Sequence, residues 1–176
     1  MSQLFGAQCI EVPDKNFQHD LPAMLKAVTS KTKLLIIANP NNPTGTLVDA
    51  KAIETLLQEL PSHVIAVFDE AYFEFGTGES GISLITQGYK NIAVTRTFSK
   101  TFGLAGLRIG YLTSHIDNIK LMRVLHNDKN VTDLAVRAAK TVLENLDFYV
   151  SICSRVRDIK IWLGLQLEKI IADRKS

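Results

Sequence analysis

The chain has 176 residues, enough for about one domain with a single sizeable core. With 46% hydrophobic and 22% charged residues, its composition is typical of a globular protein. Its 20 basic and 18 acidic residues leave a net charge of +2, too balanced to favour a nucleic acid or a membrane surface as partner. No metal site is expected from the scattered histidines, and the two separated cysteines favour a reducing cytoplasm.

Apolar periodicity predicts strands alternating with helices from the start of the chain. Gln8–Val12 is predicted to be a strand, and Asp20–Val28 a short helix capped by Asp20. Lys33–Ala38 has the continuous apolar character of a buried strand. Leu47–Leu60 is amphipathic and is predicted to be a helix, which Pro61 cannot continue.

The alternation continues with two more buried strands, Val64–Phe68 and Asn91–Thr95, and with a further strand at Leu107–Leu112. Beyond Ser114 the pattern is helical to the end of the chain. One stripe of a long final helix is formed by Phe148, Ile152, Val156, Ile159, Leu163, Leu167 and Ile170. Gly164 interrupts this helix at a cost of ~1 kcal/mol against alanine, so a bend is expected there.

This order of elements predicts an α/β fold with a mainly parallel sheet covered by helices on both faces. In such sheets, ligands bind beyond the carboxyl ends of the strands. Three polar clusters, Asn39–Gly45, Asp69–Tyr72 and Thr97–Arg108, each follow a predicted strand. They are therefore expected to meet at one edge of the sheet.

A glycine-rich segment, GTGESG at Gly76–Gly81, matches the pattern of a dinucleotide-binding loop. That motif also needs an acidic residue about twenty positions later, and none occurs between Glu79 and Asp117. The glycines also do not directly follow a strand. A flexible surface loop is the favoured interpretation.

The strongest cluster is TRTFSKTFGLAGLRIGY, in which Lys100 has small and hydroxylic neighbours and no acidic one. A lysine in surroundings of low dielectric constant is a good nucleophile. Arg108 is predicted to lie on the strand LRIGYL, where its planar guanidinium could bind a phosphate with two hydrogen bonds. Thr97 and Ser99 add hydroxyl donors. A solvated surface lysine is the alternative.

The other two clusters have weaker signals when each is considered alone. Asp69 ends a buried strand and would be neutralised there by a cationic pyridinium nitrogen, while Tyr72 could bond the phenolic oxygen of the same ring. Alternatively, Asp69 caps a helix and Tyr72 packs in the core. The turn ANPNNPTGT offers the Asn42 amide, with an ordinary surface turn as the alternative.

Together, the motifs ANPNNPTGT, FDEAYFEF and TFSKTFGLAGLRIGY resemble those of the class I/II aminotransferases of fold type I, which use pyridoxal phosphate. The chain looks closest to the histidinol-phosphate aminotransferase branch. The resemblance implies that residues 1–145 are part of the large cofactor-binding domain. Residues 146–176 would be a long helix leading toward a small C-terminal domain, so the chain is expected to be a fragment.

The resemblance also implies roles for individual residues. Lys100 is the Schiff-base lysine and Asp69 the partner of the pyridine nitrogen, and these two with Tyr72 are the expected catalytic residues. Asn42 and Tyr72 match the residues that bond the phenolic oxygen, and Asn42–Pro43 is expected to be a cis bond. Phosphate-binding groups are matched by Thr97, Ser99 and Arg108.

The implied reaction is amino transfer between L-histidinol phosphate, or a similar phosphorylated amine, and 2-oxoglutarate, in a cytoplasmic homodimer. The segment LMRVLHNDKNVTDLAVRAA departs from the Pro-Phe-Asn-Val pattern usual at the matching place, which leaves the substrate open. A decarboxylase of a phosphorylated amino acid shares the same motifs and is one alternative. The other is an inactive fragment that serves as a scaffold or binding subunit.

Overall fold

The chain folds as two compact units in a computed structural model, which describes residues 6–125 and 130–173. The first unit contains residues 6–73, 78–96 and 111–125, and the second contains residues 74–77, 97–110 and 130–173. Within the described ranges, no helix combines the length and the apolar composition needed to cross a membrane.

A four-stranded sheet belongs to the first unit, apart from its end residues Thr97 and Gly110. Its spatial order is that of the sequence: β1 (Leu34–Ala38), β2 (Ile65–Asp69), β3 (Ile92–Thr97) and β4 (Gly110–Ser114). β1 pairs with β2, and β2 with β3, in parallel, which confirms the mainly parallel sheet.

The helices of the first unit are α1 (Leu21–Lys26), α2 (Ala50–Glu59), α3 (Ile82–Thr86) and α4 (Ile116–Arg123). Asp20 caps α1 as predicted, since its carboxylate accepts a hydrogen bond from the Ala23 N–H at 3.0 Å. α2 begins three residues later than predicted, because Asp49 caps it by accepting from the Lys51 N–H at 2.9 Å. It ends before Pro61, as predicted.

The core of the first unit packs α2 against one face of the sheet. Its fully buried strand residues are Ile37, Ala66, Phe68, Ile92 and Val94, and Val64 directly before β2 is also fully buried. On β1 the alternation of side chains leaves Leu34 and Ile36 more than half exposed. Within the described residues, the sheet is therefore not covered on both faces at β1, contrary to the prediction.

Two predicted strands differ from the structure. Gln8–Val12 has no regular structure, and Ile10 within it is 61% exposed, because no neighbouring strand in the described residues pairs with it. The strand predicted at Leu107–Leu112 begins only at Gly110. Leu107 instead ends a short 3-10 helix, and Arg108 has a left-handed backbone conformation that interrupts the extended chain.

Among its described residues, the second unit contains two α-helices, α5 (Asp133–Glu144) and the 28-residue α6 (Leu146–Asp173). The long final helix is thus confirmed, but its predicted apolar stripe is largely exposed, with Phe148 at 62% and Ile159 at 58%. The helix turns Tyr149 and the buried Cys153 inward instead. A bend at Gly164 stays a prediction. His126 and residues 127–129 of the segment that departs from the family pattern lie outside the described residues.

The end of the glycine-rich segment is packed rather than free on the surface. Gly81 is buried, and a Cβ placed there would lie 3.0 Å from Val94 Cγ2 and 3.3 Å from Ile92 Cδ1. The prediction of a surface loop is therefore wrong at Gly81, because the chain must pass close to β3 at this point.

Gly81→Ala is expected to destabilise the chain by about 1–3 kcal/mol, because the added methyl group overpacks this contact. Gly78→Ala is the matched control, since its Cβ would meet only the Leu47 side chain, at an ordinary 3.5 Å from Cδ2 and 3.8 Å from Cδ1. Urea denaturation of both variants measures the difference in the free energy of unfolding. Equal unfolding free energies for the two variants would contradict the close approach.

Candidate active site

In the first unit, the carboxyl end of β2 carries Asp69, opposite Ala38 of β1 and Thr95 of β3. The Asp69 carboxylate is exposed, whereas the sequence suggested a buried one. Its Oδ1 accepts from the Ala71 N–H at 3.1 Å and, at 3.5 Å, from the Thr95 hydroxyl. The first of these bonds directs the carboxylate over the turn that follows the strand and leaves acceptor capacity for a cation.

The turn after β1 is held by its own hydrogen bonds. Buried Asn39 accepts from the Val48 N–H at 2.8 Å and, through its own N–H, donates to the Asp69 carbonyl at 2.9 Å. The Asn39–Pro40 and Asn42–Pro43 peptide bonds are both cis, the second as expected. The Asn42 amide donates to the Tyr72 hydroxyl at 3.4 Å. Asn42 and Tyr72 were both predicted to bond the phenolic oxygen of the cofactor. The fold brings them into contact although they are thirty positions apart in the sequence.

In the second unit, Lys100 lies on a loop anchored by two buried neighbours, Phe98 and Thr101. The Phe98 N–H donates to the Ile109 carbonyl at 3.1 Å, and the Thr101 hydroxyl donates to Glu74 at 3.4 Å. Lys100 itself is exposed, so the surroundings of low dielectric constant suggested by its sequence neighbours are absent from the described chain.

The predicted phosphate-binding residues share this loop and its continuation. The Thr97 hydroxyl accepts from the Ser99 N–H at 3.1 Å, which closes a tight turn just before Lys100. Arg108 precedes β4 with φ at 52°, and its Nη1 donates to the Ala105 carbonyl at 2.8 Å. A left-handed conformation in a residue other than glycine costs about 1–3 kcal/mol and is found preferentially at functional sites.

The predicted site residues therefore divide between the two units. The first unit holds Asn42, Asp69 and Tyr72, and the second holds Thr97, Ser99, Lys100 and Arg108. Asn42 follows β1, Asp69 and Thr97 are the last residues of β2 and β3, and Arg108 lies before β4 rather than on a strand as predicted. Among the described residues, no three His, Cys, Asp or Glu side chains gather as metal ligands would.

A buried ion pair that was not predicted from the sequence lies beside Asp69. Glu70 is only 2% exposed and accepts two hydrogen bonds from Arg96, from Nε at 3.0 Å and from Nη2 at 2.8 Å. The pair follows from the register of the two strands: β2 and β3 pair with a constant offset of 26 residues, which places Glu70 directly opposite Arg96. Opposite charges at adjoining ends of two apolar strands indicate such a pair.

Comparison with known proteins places this chain in a family. The family model for aminotransferase class I and II matches residues 1–166, so the chain belongs to that family. It is 49% identical over 147 residues to histidinol-phosphate aminotransferase 1 of Nitrosococcus oceani, covering 82% of this chain and 40% of the relative. The chain spans about 40% of the length of the curated relatives it matches.

Two solved structures show the same fold. Histidinol-phosphate aminotransferase from Sinorhizobium meliloti, in complex with pyridoxal-5'-phosphate, superposes with a TM-score of 0.80 at 31% identity, covering 87% of this chain and 42% of that one. L-threonine-O-3-phosphate decarboxylase from Porphyromonas gingivalis superposes with a TM-score of 0.65 at 32% identity, covering 71% of this chain and 38% of that one. The predicted fold of a large transferase domain is confirmed.

Proposed function

We propose that the chain forms the cofactor-binding part of a pyridoxal-phosphate-dependent aminotransferase. The amino group would move between L-histidinol phosphate, or a similar phosphorylated amine, and 2-oxoglutarate. The observation that carries this proposal is the contact between Asn42 and Tyr72 after the ends of β1 and β2, on the strand edge where Asp69 exposes its carboxylate. The names of the similar proteins support the choice of amine.

The residues present fit this cofactor by the chemistry of their donors and acceptors. The Asn42 Nδ2 and the Tyr72 hydroxyl lie 3.4 Å apart, so that both can donate to one phenolic oxygen. The Asp69 carboxylate can accept from a protonated ring nitrogen and favours its charged form. The phosphate would be held by the donors of the second unit, Thr97, Ser99 and Arg108. When bound, the cofactor supplies an electron sink for a carbanion at the substrate's α-carbon.

Lys100 would carry the cofactor through a Schiff base on its Nζ atom. As a free amine, its Nζ would take a proton from the substrate's α-carbon and later return one, as general base and acid. Tyr72 and Asn42 would restrain the ring by hydrogen bonds, and Asp69 would hold its nitrogen protonated. Lys100, Asp69 and Tyr72 would be the catalytic residues of this chain, and Asn42 would bind the cofactor.

The remaining proposals concern organisation. Residues 1–145 would form part of the large domain, and residues 146–176 a helix leading toward a small C-terminal domain. The greater length of the relatives supports this division. We also propose a cytoplasmic homodimer whose only partners, besides its second copy, are the small-molecule amine and the 2-oxo acid.

Reduction with borohydride after incubation with pyridoxal phosphate tests the cofactor assignment. Peptide mapping is expected to find the reduced cofactor on Lys100 and not on other exposed lysines such as Lys51 and Lys90. A label spread evenly over exposed lysines, or no label, would contradict the assignment and favour a scaffold or binding role.

Product analysis distinguishes the proposed reaction from its main alternative. Similarity to the phosphothreonine decarboxylase structure supports decarboxylation of a phosphorylated amino acid as a second candidate. With histidinol phosphate and 2-oxoglutarate, the transferase is expected to form glutamate. Carbon dioxide released from O-phosphothreonine, without glutamate formation, would instead identify the decarboxylase.

Arg108→Ala tests the phosphate contact. Because hydrogen bonds to charged groups are worth about 1.5–3 kcal/mol, the dissociation constant for pyridoxal phosphate is expected to rise roughly 10- to 100-fold. Pyridoxal, which lacks the phosphate, provides the matched ligand control, and its affinity is expected to be unchanged. Alanine retains a Cβ, so the left-handed backbone position is comparable in both proteins. An equal loss of affinity for pyridoxal phosphate and pyridoxal, measured by spectroscopic titration, would rule out a phosphate contact.

A further inference from the structure

Glu70 is held by four hydrogen bonds on its buried carboxylate. Oε2 accepts from Arg96 Nε and Nη2 and from the Ser80 hydroxyl at 2.8 Å, while Oε1 accepts from the Gly81 N–H at 2.6 Å. The Arg96 guanidinium also lies over the ring of Phe73, 3.9 Å from its centroid. All five residues belong to the first unit, and we call them the Glu70 cluster.

Stability alone is a weak reason for such a cluster. Taking a carboxylate and a guanidinium out of water carries a desolvation penalty. The attraction between the two charges often does no more than offset this penalty. Well-packed apolar side chains of similar volume would commonly stabilise a protein as well or better. The role of the cluster is therefore better indicated by its location than by the strength of its contacts.

The Glu70 cluster stabilises the last backbone pairing between β2 and β3, next to Asp69. The Glu70 N–H donates to the Thr95 carbonyl at 2.9 Å, which extends the parallel pairing by one residue beyond Asp69. Successive side chains point to opposite faces of a strand, and here Glu70 is buried while Asp69 is exposed. Arg96 likewise follows Thr95, whose hydroxyl donates to Asp69.

The same cluster also holds the turn that aims the Asp69 carboxylate. The Phe73 N–H donates to the Glu70 carbonyl at 3.1 Å, and the ring of Phe73 packs under Arg96. Ala71, which lies inside this turn, donates its N–H to Asp69 Oδ1. The backbone on both sides of Asp69 is therefore tied to Glu70.

We propose that Glu70 is a positioning residue, which with Arg96 fixes the backbone around Asp69 and so directs the Asp69 carboxylate toward the ring nitrogen of the cofactor. This rests on the proposed function for the identity of the group that Asp69 binds. Glu70 does not itself touch that group, because it lies on the opposite face of the strand. The glycine-rich segment acquires a role as well, since Ser80 and Gly81 complete the binding of the Glu70 carboxylate.

Glu70→Gln tests the proposal, with Glu79→Gln as the control that removes the same charge from an exposed neighbouring position. Glutamine can still accept from Gly81, but its amide NH2 faces the donors of Arg96. Hydrogen exchange of the Ala71 amide in the cofactor-free chain is the first measurement. Exchange of the Ala71 amide is expected to become about tenfold faster or more in Glu70→Gln, while exchange of the Phe68 amide within β2 changes less.

The affinity for pyridoxal phosphate is the second measurement, and it is expected to fall roughly tenfold in Glu70→Gln and to be unchanged in Glu79→Gln. Arg96→Lys keeps the positive charge but loses the planar guanidinium, and it replaces Glu70→Gln as the test variant if Glu70→Gln does not fold. We expect it to accelerate hydrogen exchange at Ala71 more than at Phe68. Equal acceleration at Ala71 and Phe68 would indicate general destabilisation and overturn the proposal, as would unchanged exchange at Ala71.

These outcomes separate the proposal from the proposed function. If the wild-type chain does not take up pyridoxal phosphate, the cofactor assignment fails. Exchange at Ala71, measured without the cofactor, still decides whether Glu70 holds the backbone around Asp69.

Discussion

Lys100→Ala is expected to abolish covalent attachment of pyridoxal phosphate and the visible absorbance that accompanies it. Alanine has no amine, and Lys100 is the only lysine in the segment Thr97–Arg108. Any aminotransferase turnover is expected to fall by about 10²–10⁴, the usual contribution of a general acid–base group, or more where the covalent link is also needed. Borohydride trapping followed by mass analysis, together with a glutamate assay, measures both effects.

Two further variants separate the chemistry of Lys100 from its charge. Lys90→Ala removes another exposed lysine and is expected to leave trapping at Lys100 unchanged. Lys100→Arg keeps the positive charge but offers a guanidinium that stays protonated, so it is expected to behave as Lys100→Ala does. Trapping or turnover of Lys100→Ala at the wild-type level would refute the assignment of this residue.

Phe98→Ala is expected to reduce the free energy of unfolding by about 3–5 kcal/mol, the usual cost of deleting a buried phenylalanine side chain. Phe98 is 4% exposed and packs with Ala139 and Val142 of α5 in the small core of the second unit. Its ring centroid lies 5.3 Å from that of Phe102. Few other buried groups are available in this core to compensate for the loss, and urea denaturation measures it.

Phe148→Ala is the control for this variant, because Phe148 is 62% exposed in the same unit. Its ring contact with Tyr149, at 5.2 Å, is worth about 0.5–1.5 kcal/mol, so its effect is expected to be clearly smaller. Similar losses for the two variants would show that Phe98 does not anchor the core of this unit.

A milder substitution links this core to the proposed site. Phe98 lies between Thr97 and Ser99, so its burial holds the turn that carries both hydroxyl groups and precedes Lys100. Phe98→Leu retains an apolar side chain and is expected to weaken binding of pyridoxal phosphate under conditions in which the chain is still folded. The core of the second unit would then determine the geometry of the phosphate-binding turn.

The sequence by itself was sufficient to predict the mainly parallel sheet. β1, β2 and β3 are continuous apolar runs, and the end of α2 is determined by Pro61. Asp20 caps α1 through a bond to Ala23 only three residues away. Such signals are local, because propensity, capping and periodicity act between residues that are close along the chain.

Only the tertiary structure decided what depends on distant partners. Gln8–Val12 has the pattern of a strand but forms none, because a strand exists only with a neighbour to pair with. The Glu70–Arg96 pair joins residues 26 positions apart, and it became visible once the register of β2 and β3 was known. The exposure of Asp69 and Lys100 likewise follows from packing around their buried neighbours, since burial is a property of the folded chain and not of its local pattern.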